Sequence, residues 1–310
     1  MTIRTLLTLT LAAAPVWAQE APLLSGPTSG FAFDEQSRTL RVINGVPGAA
    51  YLGPAIASDV DFATVSPDGT LAVTLREGKL ALLRLQTGES AALGSSEPVD
   101  SAAWSGDSSA VALAGSSFSL YRNLKSAPES AAVARLSAKA QSIATDGAGI
   151  FVATEDGVYL LNASEARLIA SLEDASALVL SGDTLYAASR GRKQVDTIRH
   201  WAESAEIATL ASGIEDPSAL ALSRDGAVVF VASRAAKSLF ALKTATGEPL
   251  ETLQLDFEPT RADRLNAGLF RLNARASAQD PIQILDSKQR AVFFIPTQDL
   301  SYQAPVSVED

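Results

Sequence analysis

The chain has 310 residues, no cysteine, one histidine and a net charge of −10. Those numbers exclude disulfides, thiolate chemistry and clustered imidazole metal sites, and the acidic balance argues against nucleic acid as a general partner. Stability has to come from packing and backbone pairing.

Residues 1–18 carry a single charged side chain, Arg4, then the apolar run Leu6 to Ala14, then Pro15 and Val16-Trp17-Ala18. Small residues at the −3 and −1 positions make this a secretory signal, too short for a membrane helix, with the mature chain starting at Gln19. No later stretch reaches the roughly 18 apolar residues that a membrane helix needs. The expected protein is therefore soluble and exported, periplasmic or secreted.

From residue 27 onward one pattern recurs: a short apolar run, a polar turn with Gly or Asp, and a second apolar run. The turns are centred on Asp34, Ser66, Ser105, Asp146, Ser181, Ser223 and Asn266, at intervals of 32 to 43 residues. Such intervals suit propeller blades of about 40 residues. The second repeat shows the order best. A strand at 60–65 meets Ser66-Pro67-Asp68-Gly69, where Pro presets φ and Gly takes the left-handed conformation. Strands at 71–75 and 80–85 follow, and Gln86-Thr87-Gly88-Glu89 turns the chain into a fourth near 91–93. The sixth repeat follows the same course through Val228, Phe240 and Gly247. Four short strands per repeat predict an all-β, seven-bladed β-propeller over 27–297. Residues 19–26 form an N-terminal extension and 298–310 a C-terminal tail. The first repeat has little room for a fourth strand before Asp59, so residues 21–24 or 302–308 are candidates to complete a blade and remove an open sheet edge.

The Ser66-Pro67-Asp68-Gly69 turn, the Leu85-Gln86-Thr87-Gly88-Glu89 and Thr244-Ala245-Thr246-Gly247-Glu248 loops and the strand Val229-Phe230-Val231-Ala232-Ser233 resemble those of bacterial YVTN-type and WD-like repeat propellers. The resemblance covers 27–297 and implies the fold. It implies no single function, because such propellers serve as scaffolds, carbohydrate binders, lactone hydrolases and quinoprotein-like subunits. The Trp-Asp pair that names the WD repeats is missing, so eukaryotic partner lists do not transfer.

Two positions repeat without being needed by the turns. An arginine follows the second strand at Arg76, Arg190, Arg234 and Arg275, in loops on the face where the inner strands begin. Such guanidinium groups suit a carboxylate, a phosphate or an acidic partner; equally, each can bridge to an acidic residue of the next blade. At the entrance of each inner strand stands a polar residue, namely Ser29, Asp61, Asp100, Gln141, Ser176, Ser218 or Arg261. This collar either binds a ligand at the channel mouth or solvates it. Asp61 and Asp100 alone are too few for Ca²⁺. His200, beside Trp201, reads as surface or packing. No nucleophile elbow, phosphate loop or dinucleotide fingerprint is present.

The expectation is a non-enzymatic propeller without a cofactor or metal, acting as a scaffold whose arginine-bearing face takes an acidic partner protein or an anionic ligand. The alternative is a lactonase- or quinoprotein-type enzyme working at the polar channel mouth.

Overall fold

The computed structural model describes residues 27–296 except 267 and 278. The described chain is all strand and turn, in seven antiparallel sheets. The first holds β1 (Thr28–Asp34), β2 (Thr39–Asn44) and β3 (Tyr51–Ala57); the second β4 (Phe62–Val65), β5 (Leu71–Arg76), β6 (Lys79–Arg84) and β7 (Ser90–Ser95). The third holds β8 (Val99–Trp104), β9 (Val111–Gly115), β10 (Phe118–Arg122) and β11 (Glu129–Ala131); the fourth β12 (Ser142–Thr145), β13 (Ile150–Ala153), β14 (Val158–Leu161) and β15 (Ala166–Ala170). The fifth holds β16 (Ala175–Ser181), β17 (Thr184–Ser189), β18 (Gln194–Arg199) and β19 (Glu206–Ser212); the sixth β20 (Pro217–Leu222), β21 (Val228–Ser233), β22 (Ser238–Lys243) and β23 (Pro249–Gln254). The seventh holds β24 (Asp263–Arg264), β25 (Leu269–Arg271), β26 (Ile282–Asp286) and β27 (Ala291–Ile295). These are the seven blades of a propeller, with inner strands from every blade lining one central channel. Among the described residues no helix is long and apolar enough to cross a membrane.

Position in the blade explains the residue pattern of each strand. Second strands such as β13 and β17 lie between two neighbouring blades, so both faces are buried and the sequence runs apolar or small without alternation. Fourth strands such as β7 and β23 form the rim and are almost wholly exposed. Seven apolar clusters fill the structure, most of them spanning two adjacent blades; Phe151 of the fourth blade packs with Leu185 of the fifth, and Phe230 of the sixth with Phe270 of the seventh.

The recurrent turn is held by its own side chains. In the second blade the Ser66 hydroxyl donates to the Asp68 carboxylate (2.7 Å) and accepts from the Leu71 amide (3.0 Å), while Asp68 also accepts from the Thr70 amide (3.1 Å). Gly69 turns the corner at φ 70°. Ser105 with Asp107, and Ser223 with Asp225, repeat the arrangement.

The first blade differs. Six sheets have four strands, and among the described residues this one has three. An odd count reverses the inner strand: β3 has to end where the second blade begins, so β1 runs opposite to every other inner strand. The contacts agree. Arg38, in the β1–β2 turn, pairs with Asp61 at the start of the second blade (2.6 Å), and Phe33 meets the Phe62 ring at 6.3 Å. At the other end of β1, the Asn266 amide of the seventh blade's inner turn donates to the Ser29 carbonyl. The alignment of Asp34 with Ser66, and of Ser29 with the collar, is therefore corrected: Asp34 lies on the face where the other inner strands begin, and Ser29 on the opposite one. We call these the upper and lower faces. The two stretches considered for closing the ring, 21–24 and 302–308, lie outside the described residues.

Candidate functional site

On the upper face the recurring arginines meet partners that local sequence did not indicate. Arg190 Nε is 2.8 Å from Asp174 Oδ2, Arg234 Nε is 2.8 Å from Asp216 Oδ2, and Arg76 is 3.4 Å from Asp59. In each case the aspartate precedes the inner strand of the same blade by one to three residues and has a left-handed backbone, with φ between 43° and 56°. Aspartate tolerates that conformation better than most residues. The geometry thus fixes one device in the second, fifth and sixth blades: a left-handed aspartate at the blade entrance, clasped by the arginine that ends or directly follows the second strand. The pairs lie within a blade, not across to the next one. The signal was present in the sequence as an acidic residue two positions before the collar residue, at Asp59, Asp174 and Asp216.

Arg190 reaches further. It also bonds the Gln141 side-chain carbonyl of the fourth blade, and Gln141 Nε2 donates to Asp174 (2.7 Å). The Arg190 guanidinium, assisted by Gln141, holds the Asp174 carboxyl below its ordinary value, and the same ion pair raises Arg190.

Arg275 is placed differently from the other three. Its side chain is 1% exposed and its guanidinium lies 2.6 Å from Asp34, itself 7% exposed, across the junction of the seventh and first blades. Beside it, Arg271 bonds Glu35 (3.0 Å) and the Phe33 carbonyl (2.8 Å), and Arg261 bonds the other oxygen of Glu35 (2.6 Å). The four arginines consequently do not form one surface. Three stand on the upper face, half-exposed and paired, and the fourth is interior.

The collar also works between blades. Asp61 takes Arg38 of the first blade and the Glu77 amide (2.7 Å). The Ser176 hydroxyl donates to the Pro217 carbonyl of the sixth blade (2.6 Å), and Ser218 does the same to Pro259 ahead of the seventh (2.7 Å). With Gln141 and Arg261, five collar residues reach an adjoining blade. Asp100 is exposed at the mouth, and its carboxylate has no partner among the described residues. Below the collar the channel encloses about 1040 Å³. Among the described residues no three carboxylate or imidazole side chains gather as a metal site would require. His200 is exposed, 3.3 Å from Glu206, while Trp201 packs edge-on against Phe151 at 5.0 Å.

The Cps50 (Swd1) β-propeller domain of Myceliophteria thermophila superposes with a TM-score of 0.52 at 14% identity, covering 83% of this chain and 96% of that one. The chain has a WD40-like seven-bladed propeller fold. Hsv2 of Kluyveromyces lactis superposes at 0.52 with 10% identity and 73% of each chain covered. At such identities the likeness concerns fold alone. No family model matches the sequence, and no curated protein matches it.

Proposed function

We propose that this protein is an exported, non-enzymatic propeller of the bacterial YVTN type that docks a partner protein, or an anionic ligand, on its upper face. One observation carries the reading: the aspartate–arginine pair recurs at Arg76, Arg190 and Arg234, orienting each guanidinium while leaving the side chains 59%, 30% and 45% exposed. A pre-oriented guanidinium loses little freedom when it accepts a second carboxylate, so acidic side chains of a partner are the matching chemistry. Arg261, Asp61 and Asp100 border the same face at the channel mouth. Arg275 supports the ring instead. The leader at 1–18, which lies outside the described residues, supports export.

The test is affinity capture from a periplasmic extract with wild-type protein and the Arg190→Glu/Arg234→Glu variant. A partner retained by the wild type and lost by the variant, with unchanged circular dichroism, is the expected result. An identical set of captured proteins would refute the upper-face reading.

A further inference from the structure

The opposite mouth of the channel carries a feature that the repeat does not explain. In the turns built on Ser66, Ser105 and Ser223, the residue after the serine lines the channel: Pro67, Gly106 and Arg224. Proline and glycine at that position serve the turn itself. Arginine does not, and the Arg224 guanidinium is exposed with no ion pair or hydrogen bond among the described residues.

The adjoining blade brings a second guanidinium to the same end. Inner strand β24 is only two residues long, so at the seventh blade, and at no other among the described residues, the channel reaches second-strand residues, Phe270 and Arg271. Arg264 ends that strand and stands opposite Phe270 in the ladder, its guanidinium carbon 4.9 Å from the ring centroid. Phe270 in turn packs on Ala219 and Ala221 of β20, the strand that leads through Ser223 to Arg224. Arg224 and Arg264 therefore both line one cavity, from neighbouring blades, on chain segments that run into its lower mouth. Burial pushes Arg264 below the ordinary arginine value, which marks a partly dehydrated setting where an opposite charge gains more than in open water. The aspartates of this mouth are committed to their own turns: Asp225 accepts from Ser223 and Ala227, Asp107 from Ser105 and Ser109, and Asp146 from Ala148 and Gly149.

We propose that Arg224 and Arg264 form an oxyanion site at the lower channel mouth, which takes the carboxylate or phosphate group of a small ligand between the sixth and seventh blades. Arg224 supplies an exposed fork, and Arg264, stacked on Phe270, a second positive charge. The site lies on the face opposite the three arginine pairs and does not depend on the upper-face reading.

The experiment is isothermal titration of the purified protein at low ionic strength with inorganic phosphate and, separately, acetate. Saturable binding of either anion is expected, weakened about 10-fold or more in Arg224→Gln, since a charge-assisted fork contributes that much. Lys288→Gln, a lower-face charge in the β26–β27 turn away from the channel, should bind like the wild type. Arg264→Lys, which keeps the charge and loses the fork, should weaken binding less than Arg224→Gln. Phosphate alone binding identifies phosphate or a phosphate ester as the ligand group; acetate binding as well admits organic acids. No saturable binding of either anion, or equal affinity in Arg224→Gln and wild type, overturns the proposal. Arg224 is an exposed turn residue whose loss leaves the fold intact, so failure of that variant to bind cannot be a folding effect.

Discussion

The junction of the seventh and first blades should be the point where a single substitution costs most. Removing Arg275 by Arg275→Ala leaves the Asp34 carboxylate, 7% exposed, without its cation. Breaking one side of a buried ion pair costs about 3–5 kcal/mol, whereas exposed pairs contribute about 0–1 kcal/mol. Arg76→Ala, at a pair in which Arg76 is 59% and Asp59 74% exposed, is the matched control and should change stability by less than about 1 kcal/mol. For a chain of this size 1 kcal/mol moves the melting temperature by roughly 2–3 °C, so Arg275→Ala should lower it by about 6–15 °C and Arg76→Ala by at most about 3 °C. Near-ultraviolet circular dichroism during heating, with urea titration for the free energies, measures both. The double variant Asp34→Ala/Arg275→Ala should be more stable than the sum of its single changes, since neither charge is then left alone. If Arg275→Ala costs no more than Arg76→Ala, or if the double variant is simply additive, the seam is not held by this pair.

Acid should act through the same groups. Burial pushes the carboxyls of Asp34 and Glu35 up, but the Ser37 hydroxyl and Arg275 at the first, and Arg271 and Arg261 at the second, bring both below their ordinary 3.8 and 4.5. Asp174, clasped by Arg190, is lowered as well. A lowered carboxylate contributes stability that is present above its unfolded value and lost as pH falls through the folded one. The melting temperature should therefore be flat above about pH 5 and fall progressively below the ordinary carboxylate values, less steeply in Arg275→Ala. Ser66→Ala removes a buried hydroxyl that bonds both Asp68 and the Leu71 amide, and should cost about 1–2 kcal/mol in urea titration. Gly247 sits at φ 72° with its missing Cβ position 1.9 Å from the Leu210 carbonyl of the fifth blade, while Gly213, at φ 78°, has open space. Gly247→Ala should therefore destabilise clearly more than Gly213→Ala, whose cost is the left-handed backbone alone, about 1–2 kcal/mol.

How far the sequence could be read depended on how local each cause is. The Ser-x-Asp turns were legible because donor, acceptor and left-handed residue lie within five positions; Ser66, Asp68, Gly69 and the Leu71 amide make a complete unit wherever it occurs. Blade number follows from the spacing of all seven recurrent turns, of which these are the most regular. The partners of Arg76, Arg190 and Arg234 were not legible in the same way, because each aspartate lies 16 to 18 residues upstream, and only the hairpin formed by the first two strands brings the pair together. The first blade misled for a related reason. Asp34 accepts from the Gln36 amide (3.1 Å) and the Ser37 hydroxyl (2.7 Å), which reproduces the chemistry of Asp68 in its own turn. Local chemistry says that a turn is there and does not say which face it is on. Strand parity decides that, and parity is a property of the whole blade. Because three strands among the described residues stand where other blades have four, the Asp34–Glu35 turn arrives on the upper face, within reach of Arg261, Arg271 and Arg275. Arg275 shares its sequence position with three surface arginines and becomes interior only because the inverted blade delivers a carboxylate to it. A repeat position thus carries a role only as far as the neighbouring blade repeats too.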